Sequence, residues 1–117
     1  MQLSAQQALQ LWHSAFVESV QRDTPDLTAR QMAVLMTVYM DPPPHTVRGL
    51  ADRLTVSKPA VTRALDRLSA IGLVRRKPDE RDRRSITVQR TVKGSLYLSD
   101  IAAVIGRAAA GLPQPGG

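Results

Sequence analysis

The chain has 117 residues, 43% of them hydrophobic, and carries a formal net charge of +6 with no cysteine. This length suffices for one buried core but not for two, so we expect a single domain over residues 1–117. The lack of cysteine excludes disulfides, thiol redox sensing and thiolate metal sites. No apolar run approaches the roughly 20 residues that cross a bilayer, and no basic leader opens the chain. We therefore expect a cytoplasmic protein without a membrane partner.

The positive charge is concentrated in the middle of the chain. Residues 48–90 contain 12 lysines or arginines and five acidic residues, a net charge of +7. The remaining residues contain four basic and five acidic residues, a net charge of −1. A charge excess confined to one segment indicates an electrostatic footprint for a polyanion rather than a general aid to solubility.

Two helices are predicted in the first forty residues. Residues 3–22 carry an apolar stripe at helical spacing: Ala5, Ala8, Leu9, Trp12, Ala15 and Phe16. This stripe could pack within the chain or against a second subunit, and the sequence leaves both open. A polar break with Pro25 follows, and Thr28 opens a second helix because Thr28 and Gln31 have capping-box spacing. Its expected buried face consists of Met32, Leu35, Met36 and Tyr39.

The next two helices are joined by a very short turn. Three prolines between Asp41 and His45 end the second helix, and Thr46 is expected to cap a short third helix. Its inward face should hold Val47, Leu50, Ala51 and Leu54. Residues 55–57 then lead into a helix over residues 57–72. Its apolar stripe must be buried: Val61, Ala64, Leu65, Leu68 and Ile71.

The opposite face of residues 57–72 is cationic and hydroxylated. Lys58, Thr62 and Arg63 can donate hydrogen bonds to phosphates or base edges. Ser57 is a candidate N-cap, and Pro59 is tolerated in the first turn. A face of this kind is often simply solvated. The short turn before it, however, is typical of the helix pair that places its second helix in the DNA major groove.

A β-hairpin with a highly charged tip is predicted over residues 73–90. Residues 73–77 and 85–89 should be extended, with Ile86 and Val88 facing the core and Thr87 and Gln89 facing water. Basic residues crowd this segment: Arg75, Arg76, Lys77, Arg81, Arg83 and Arg84. A polyanion would relieve their mutual repulsion, and arginines on such a tip suit the minor groove. We expect the interleaved acids to be salt-bridge partners.

A final helix is predicted over residues 91–110. Its stripe comprises Val92, Leu96, Tyr97, Ile101, Val104, Ile105 and Ala108. Five small residues at Ala102, Ala103 and 108–110 permit close approach of another helix, and self-association is the functional interpretation. Residues 111–117 are expected to form a loose tail.

Four segments carry a likeness to a known family. In chain order they are LTARQMAVL from Leu27, LADRLTVSKPAVTRALDRLSAIGLVRR from Leu50, DERDRR from Asp79 and TVKG from Thr91. Their order and spacing resemble the MarR family of winged helix-turn-helix transcriptional regulators. The resemblance implies a mainly α fold with a small β-hairpin wing. A DNA-binding lobe at residues 28–90, with recognition helix 57–72 and wing 73–90, would be flanked by dimerisation helices at 3–22 and 91–110.

The resemblance also implies a function and a set of site residues. It implies a homodimeric repressor that reads a palindromic operator in double-stranded DNA. The recognition positions fall on Ser57, Lys58, Pro59, Thr62 and Arg63, and the wing positions on Arg81, Asp82, Arg83 and Arg84. Arg84 would enter the minor groove while Asp82 holds its guanidinium. Asp66 matches a position of a structural kind and could pair with Arg63 or with a neighbouring arginine.

Two departures from the family pattern qualify this expectation. Arg90 stands where the family usually has an apolar residue, which leaves the packing at the end of the second strand open. The chain also ends about one helix earlier than most members, so we expect a smaller or differently built dimer interface. Many members release DNA on binding a small aromatic ligand, which here implies an effector pocket. Its residues would be Trp12, His13, Phe16, Met36, Tyr39 and Met40, for which ordinary core packing is the alternative.

The charge pattern and the two histidines also bear on two other classes of function. A winged helix used for protein contact would not need a cationic excess on both the recognition helix and the wing. An enzyme is disfavoured because His13 and His45 have neither metal-ligand spacing nor a nucleophile partner. A phosphate-cradling glycine motif is also missing. We therefore expect no catalytic residue, metal or cofactor.

Overall fold

The computed structural model of the chain describes residues 2–113 and contains five helices and one hairpin. The helices are α1 (Ala5–Gln21), α2 (Ala29–Met40), α3 (Val47–Leu54), α4 (Lys58–Ala70) and α5 (Val92–Ala110). Strands β1 (Val74–Pro78) and β2 (Ile86–Arg90) pair antiparallel, with Arg76 opposite Val88. The expected mainly α fold with a small hairpin is confirmed. The tail predicted over 111–117 lies outside the described residues from 114 onwards.

The described residues form two compact units. The first, called the lobe here, is Leu27–Leu98 and contains α2, α3, α4, the hairpin and the start of α5. The second, called the helical pair, consists of residues 2–26 and 99–113 and contains α1 and the rest of α5.

One aliphatic cluster forms the core of the lobe. Its members are Val34, Leu35, Val38, Leu50, Ala51, Val61, Ala64, Leu65, Leu68, Leu73, Val74 and Val88. The stripe predicted for α4 is confirmed apart from Ile71, which is only half-buried. The face predicted for α2 was partly wrong, because Val34 and Val38 are fully buried whereas Met32 and Met36 are half-buried. The compact β-branched side chains lie at the centre of the helix contact, and the methionines lie at its edge.

The predicted helix caps are present. The capping box of Thr28 and Gln31 forms in full, and the Thr46 side chain accepts a hydrogen bond from the Gly49 N–H. A second capping box, between Ser4 and Gln7 at the start of α1, was not predicted. These caps supply acceptors for backbone N–H groups that have no partner inside a helix.

Gly72 sets the direction in which the chain leaves α4. Its φ of 80° lies in the left-handed region, where a residue without Cβ carries no steric penalty. The Leu73 N–H donates to the Leu68 carbonyl at 2.9 Å, and the Gly72 N–H donates to the Ser69 carbonyl at 3.0 Å. This pair of bonds is the Schellman termination of a helix, and it directs the next residues into β1.

The Tyr39 hydroxyl joins α2 to the base of the hairpin. It donates to the Leu73 carbonyl at 2.7 Å and accepts from the Thr91 N–H at 2.8 Å. The Thr91 hydroxyl in turn donates to the Gly72 carbonyl at 2.7 Å and accepts from the Gly94 N–H at 2.9 Å. The two ends of the hairpin and the start of α5 therefore meet at one side chain of α2.

Arg90, the departure from the family pattern, packs at the end of α2. Its Nε donates to the Val38 carbonyl at 2.9 Å, and its Nη2 donates to the Asp41 carbonyl at 3.1 Å. The guanidinium also lies over the Tyr39 ring, 5.8 Å from the ring centroid. Carbonyls at a helix C-terminus lack helical partners and carry partial negative charge. Arg90 thus stabilises the end of α2 with a cation instead of an apolar contact.

The end of the hairpin near its tip is not part of the core. Val88 is 4% exposed, as predicted, but Ile86 is 45% exposed, so the prediction that Ile86 faces the core was wrong. Ile86 lies opposite Pro78 at the far end of the hairpin, where the strands extend past the helices that form the core.

The helical pair has little buried surface of its own. Val104 of α5 is 1% exposed, but α1 has no buried residue. Leu9, Trp12 and Phe16 on the predicted stripe are 70%, 66% and 53% exposed. The Trp12 and Phe16 rings pack edge to face with centroids 4.8 Å apart. Ion pairs Arg22–Asp100 and Glu18–Arg107 join the two helices.

We expect Gly94→Ala to destabilise the protein by about 2 kcal/mol or more, because overpacking of a filled site forces the backbone to shift. A methyl group at this position would overlap the Tyr39 hydroxyl and the Leu73 carbonyl oxygen. Urea denaturation measures the effect.

Gly106→Ala in the same helix is the matched control, because a Cβ there meets nothing within 4 Å. It should stabilise the protein by about 0.5–1 kcal/mol through helix propensity. Equal effects of the two substitutions would contradict the close approach at Gly94.

Candidate nucleic-acid interface

The N-terminal part of α4 presents one face to solvent because the opposite face of the helix is buried. Val61, Ala64 and Leu65 are 0–3% exposed and fix the rotation of the helix about its axis. All five predicted recognition residues are exposed as a result: Ser57, Lys58, Pro59, Thr62 and Arg63. The Ser57 hydroxyl caps the helix by accepting from the Ala60 N–H at 3.2 Å. Free amides and the positive end of the helix dipole favour an anion at this end.

The turn between α3 and α4 has a defined backbone conformation. Thr55 adopts a left-handed conformation with φ of 55°, and the Val56 N–H donates to the Ala51 carbonyl at 3.1 Å. The predicted three-residue turn is thus observed between Leu54 and Lys58. It brings α3 and α4 together as a helix-turn-helix.

Two aspartates shape the tip of the hairpin. Asp79 Oδ1 accepts from the Arg81 N–H at 3.0 Å, and Asp82 Oδ1 accepts from the Arg84 N–H at 3.1 Å. Each aspartate therefore bonds the backbone two residues further on, which is an Asx turn. The expectation that these acids pair with arginine side chains was wrong for both. Asp82 contacts the backbone of Arg84, and no ion pair between their side chains is found within residues 2–113.

The predicted site cations are outside all four ion pairs of the described chain. Those pairs are Arg22–Asp100, Arg53–Asp41, Arg76–Asp66 and Arg107–Glu18. Lys58 and Arg63 on α4 are exposed, as are Arg81, Arg83 and Arg84 on the tip. None of these five side chains forms an ion pair within residues 2–113, and both protrusions of the lobe present cations to solvent.

The residues predicted to form an effector pocket are divided between the two units. Trp12, His13 and Phe16 lie on α1 and are exposed, while Met40 at the end of α2 is 72% exposed. The Tyr39 hydroxyl is occupied by the hydrogen bonds at the base of the hairpin, and Met36 is half-buried. The effector pocket stays a prediction.

A shallow cleft of about 280 Å³ lies within the helical pair. None of the residues predicted for the effector pocket lines this cleft. Its lining combines polar side chains, among them Ser14, Glu18 and Arg107, with apolar residues such as Leu112.

Within residues 2–113, no group of three or more histidine, aspartate or glutamate side chains is placed to hold a metal ion. The same residues contain no helix of sufficient length and apolarity to span a membrane.

A helix-turn-helix followed by a hairpin with an arginine-rich tip defines a DNA-binding winged helix. The family model of the MarR family matches residues 26–85 of the chain. Because that match covers more than half of the sequence, the chain belongs to the MarR family. The family comprises DNA-binding transcription regulators that are not enzymes.

Solved structures of similar proteins support this assignment. MarR from E. coli in its apo form is 27% identical, with a TM-score of 0.68 over 90% of this chain and 72% of that chain. A variant of E. coli MarR complexed with operator DNA has the same identity and TM-score, over 90% of this chain and 69% of that chain. The transcriptional regulator Tm0710 from Thermotoga maritima is 24% identical, with a TM-score of 0.69 over 86% of this chain and 68% of that chain.

We expect Asp82→Ala to weaken binding to duplex DNA by about threefold to tenfold, because losing one turn-stabilising hydrogen bond loosens the tip. Asp82→Asn should bind at least as tightly as the parent protein. Its side-chain oxygen can still accept from the Arg84 N–H, and one negative charge is removed. Fluorescence anisotropy with a labelled duplex measures both affinities. Equal weakening by the two variants would show that the carboxylate charge, rather than the turn, is what Asp82 supplies.

Proposed function

We propose that this protein represses transcription by binding a palindromic operator as a homodimer. The observation that carries the proposal is the set of exposed cations on α4 and on the hairpin tip, none of which has an acidic partner within the described chain. In this proposal α4 enters the major groove and the tip follows the adjacent minor groove. Bound in this way over a promoter, the protein would block transcription.

The two protrusions would have different tasks. Lys58, Thr62 and Arg63 are exposed near the N-terminal end of α4 and would contact base edges, with Ser57 and Pro59 beside them. An arginine at a base edge commonly donates two hydrogen bonds to guanine. Arg81, Arg83 and Arg84 would lie along the narrow groove, where negative potential is strongest. Their contacts would supply affinity that depends on salt concentration.

The exposed face of α1 supports the homodimer. Leu9, Trp12, Phe16 and Val20 are each more than half exposed and recur at helical spacing. Soluble monomers rarely present so much contiguous apolar surface to water. We assign residues 3–22 and 91–110 to the contact between two copies. A twofold dimer would then read two half-sites about 34–36 Å apart, one helical turn of DNA.

A small apolar or aromatic effector that releases DNA completes the proposal. The Trp12 and Phe16 rings, which pack edge to face and are both exposed, are the aromatic surface that supports this part. A thermal-shift screen of aromatic acids tests it, and the absence of any stabilising compound would leave the effector without support.

We expect Arg84→Ala to lower affinity for the operator by about 1–3 kcal/mol, because one minor-groove cation is lost. Arg63→Ala should lower affinity and also relax the preference at the base pair it reads. Selection of bound duplexes from a random pool gives the operator, and gel-shift titration measures the affinities. Arg30→Ala is the control, since Arg30 is an exposed cation at the start of α2. An equal loss in all three variants would indicate a general charge effect and contradict the assigned contacts.

Replacing Trp12 and Phe16 by glutamate should convert a dimer into a monomer, because two charges would be placed in the apolar contact. Multi-angle light scattering measures the mass of each species. Gln6→Glu adds a charge to the same helix at an exposed polar position and should leave the mass unchanged. A parent protein that is monomeric at micromolar concentration would reject the homodimer.

A further inference from the structure

One ion pair links the two protrusions of the lobe. Arg76 Nη1 of β1 lies 2.8 Å from Asp66 Oδ1 of α4. Asp66 follows Arg63 by three residues and Thr62 by four, so it lies on the same exposed face of α4. Arg76 precedes Asp79, the first residue of the hairpin tip, by three residues. The ion pair therefore joins α4, one turn after the proposed base-reading residues, to β1 close to the hairpin tip.

At the level of Arg76 the other strand of the hairpin is also attached to the lobe. The Val88 N–H of β2 donates to the His45 carbonyl at 2.8 Å, and Thr87 forms a β-bridge with Thr46. Strand β1 has no such backbone partner outside the hairpin within residues 2–113.

Val74 is buried at the start of β1, but the next four residues of the strand are exposed. The hydrogen bonds to Tyr39 and the contacts of Arg90 all lie at the opposite end of the hairpin from its tip. Within residues 2–113, Asp66 and Arg76 make the polar side-chain contact between α4 and the strands beyond Val74.

The register of the hairpin explains why Arg76 can reach α4. Arg76 pairs with Val88 across the sheet, and Val88 is buried. Directly paired residues of an antiparallel sheet project from the same face. Arg76 is thus directed towards the helices, whereas Arg75 lies on the other face and donates to Gln89 at 3.0 Å.

We propose that the Asp66–Arg76 pair positions the wing relative to the recognition helix and thereby contributes to operator selectivity. The inference rests on the proposed function, since it concerns how two DNA-contacting protrusions are spaced. A protein that reads both grooves must hold its two readers at the separation of those grooves. Neither Asp66 nor Arg76 needs to contact a base in this role, so both are positioning residues.

A purely electrostatic role makes the opposite prediction for Asp66. A carboxylate near the DNA backbone repels phosphate, and its removal would release Arg76 for a phosphate contact. On that account Asp66→Asn would tighten binding to any duplex. If the pair positions the wing, the same substitution weakens binding to the operator even though a negative charge has been removed.

The experiment is a double-mutant cycle with Asp66→Asn, Arg76→Gln and the combined variant, measured on the selected operator and on a random duplex. We expect each single variant to bind the operator about threefold to tenfold more weakly. The combined variant should be no weaker than the weaker single variant, because both changes break one interaction. Affinity of Asp66→Asn for the random duplex should be unchanged or higher, so the ratio of operator to random affinity falls.

Asp41→Asn and Arg53→Gln are matched controls. These residues form the other ion pair of the lobe, with Nε and Oδ2 3.0 Å apart, and neither lies on α4 or the hairpin. They should leave the ratio unchanged, and thermal unfolding of all variants should agree within a few degrees. Tighter operator binding by Asp66→Asn, or additive losses in the combined variant, would overturn the inference. A parent protein that does not distinguish operator from random duplex would instead reject the proposed function itself.

Discussion

Burial of one face of α4 is the constraint on which the rest of the lobe depends. Val61, Leu65 and Leu68 are completely inaccessible to solvent, and rotating the helix would expose them at about 1.5–3 kcal/mol for each side chain. The opposite face is therefore held towards solvent, and it carries Lys58, Thr62 and Arg63. The proposed contact with DNA requires that these side chains point away from the lobe. Here the core of the lobe supplies that direction.

The partners of the acidic residues explain why the cations of α4 and of the hairpin tip are outside the ion pairs. Asp79 and Asp82 lie within a few residues of several arginines, yet both accept hydrogen bonds from backbone N–H groups of the turn. Asp66 pairs with Arg76, which is further from the tip than Arg81, Arg83 or Arg84. A short aspartate side chain reaches a backbone amide two residues away without ordering a long arginine side chain. The acids thus shape the wing and leave its positive charge exposed.

At the base of the hairpin, polar contacts connect the wing to α2. Tyr39 and Arg90 each bond backbone groups of another element, and Gly94 must lack a side chain for the Tyr39 hydroxyl to fit. The arginine at position 90 satisfies carbonyls at the end of α2, which an apolar residue could not do. This chain therefore stabilises the junction with polar contacts.

Local patterns were sufficient to predict each helix of residues 2–113, the hairpin and the exposed cationic face of α4. Capping residues such as Thr28 and Thr46, the prolines after Asp41 and the stripe of α4 act within one or two turns of chain, so the sequence alone determined these elements. Only the tertiary structure decided that Val34 and Val38 displace the methionines at the core, that Ile86 lies beyond it, and which partners Asp66, Asp82 and Arg90 bind. These outcomes depend on distances between elements remote in the chain, and a charged side chain surrounded by several possible partners takes the one that the packed elements bring within reach.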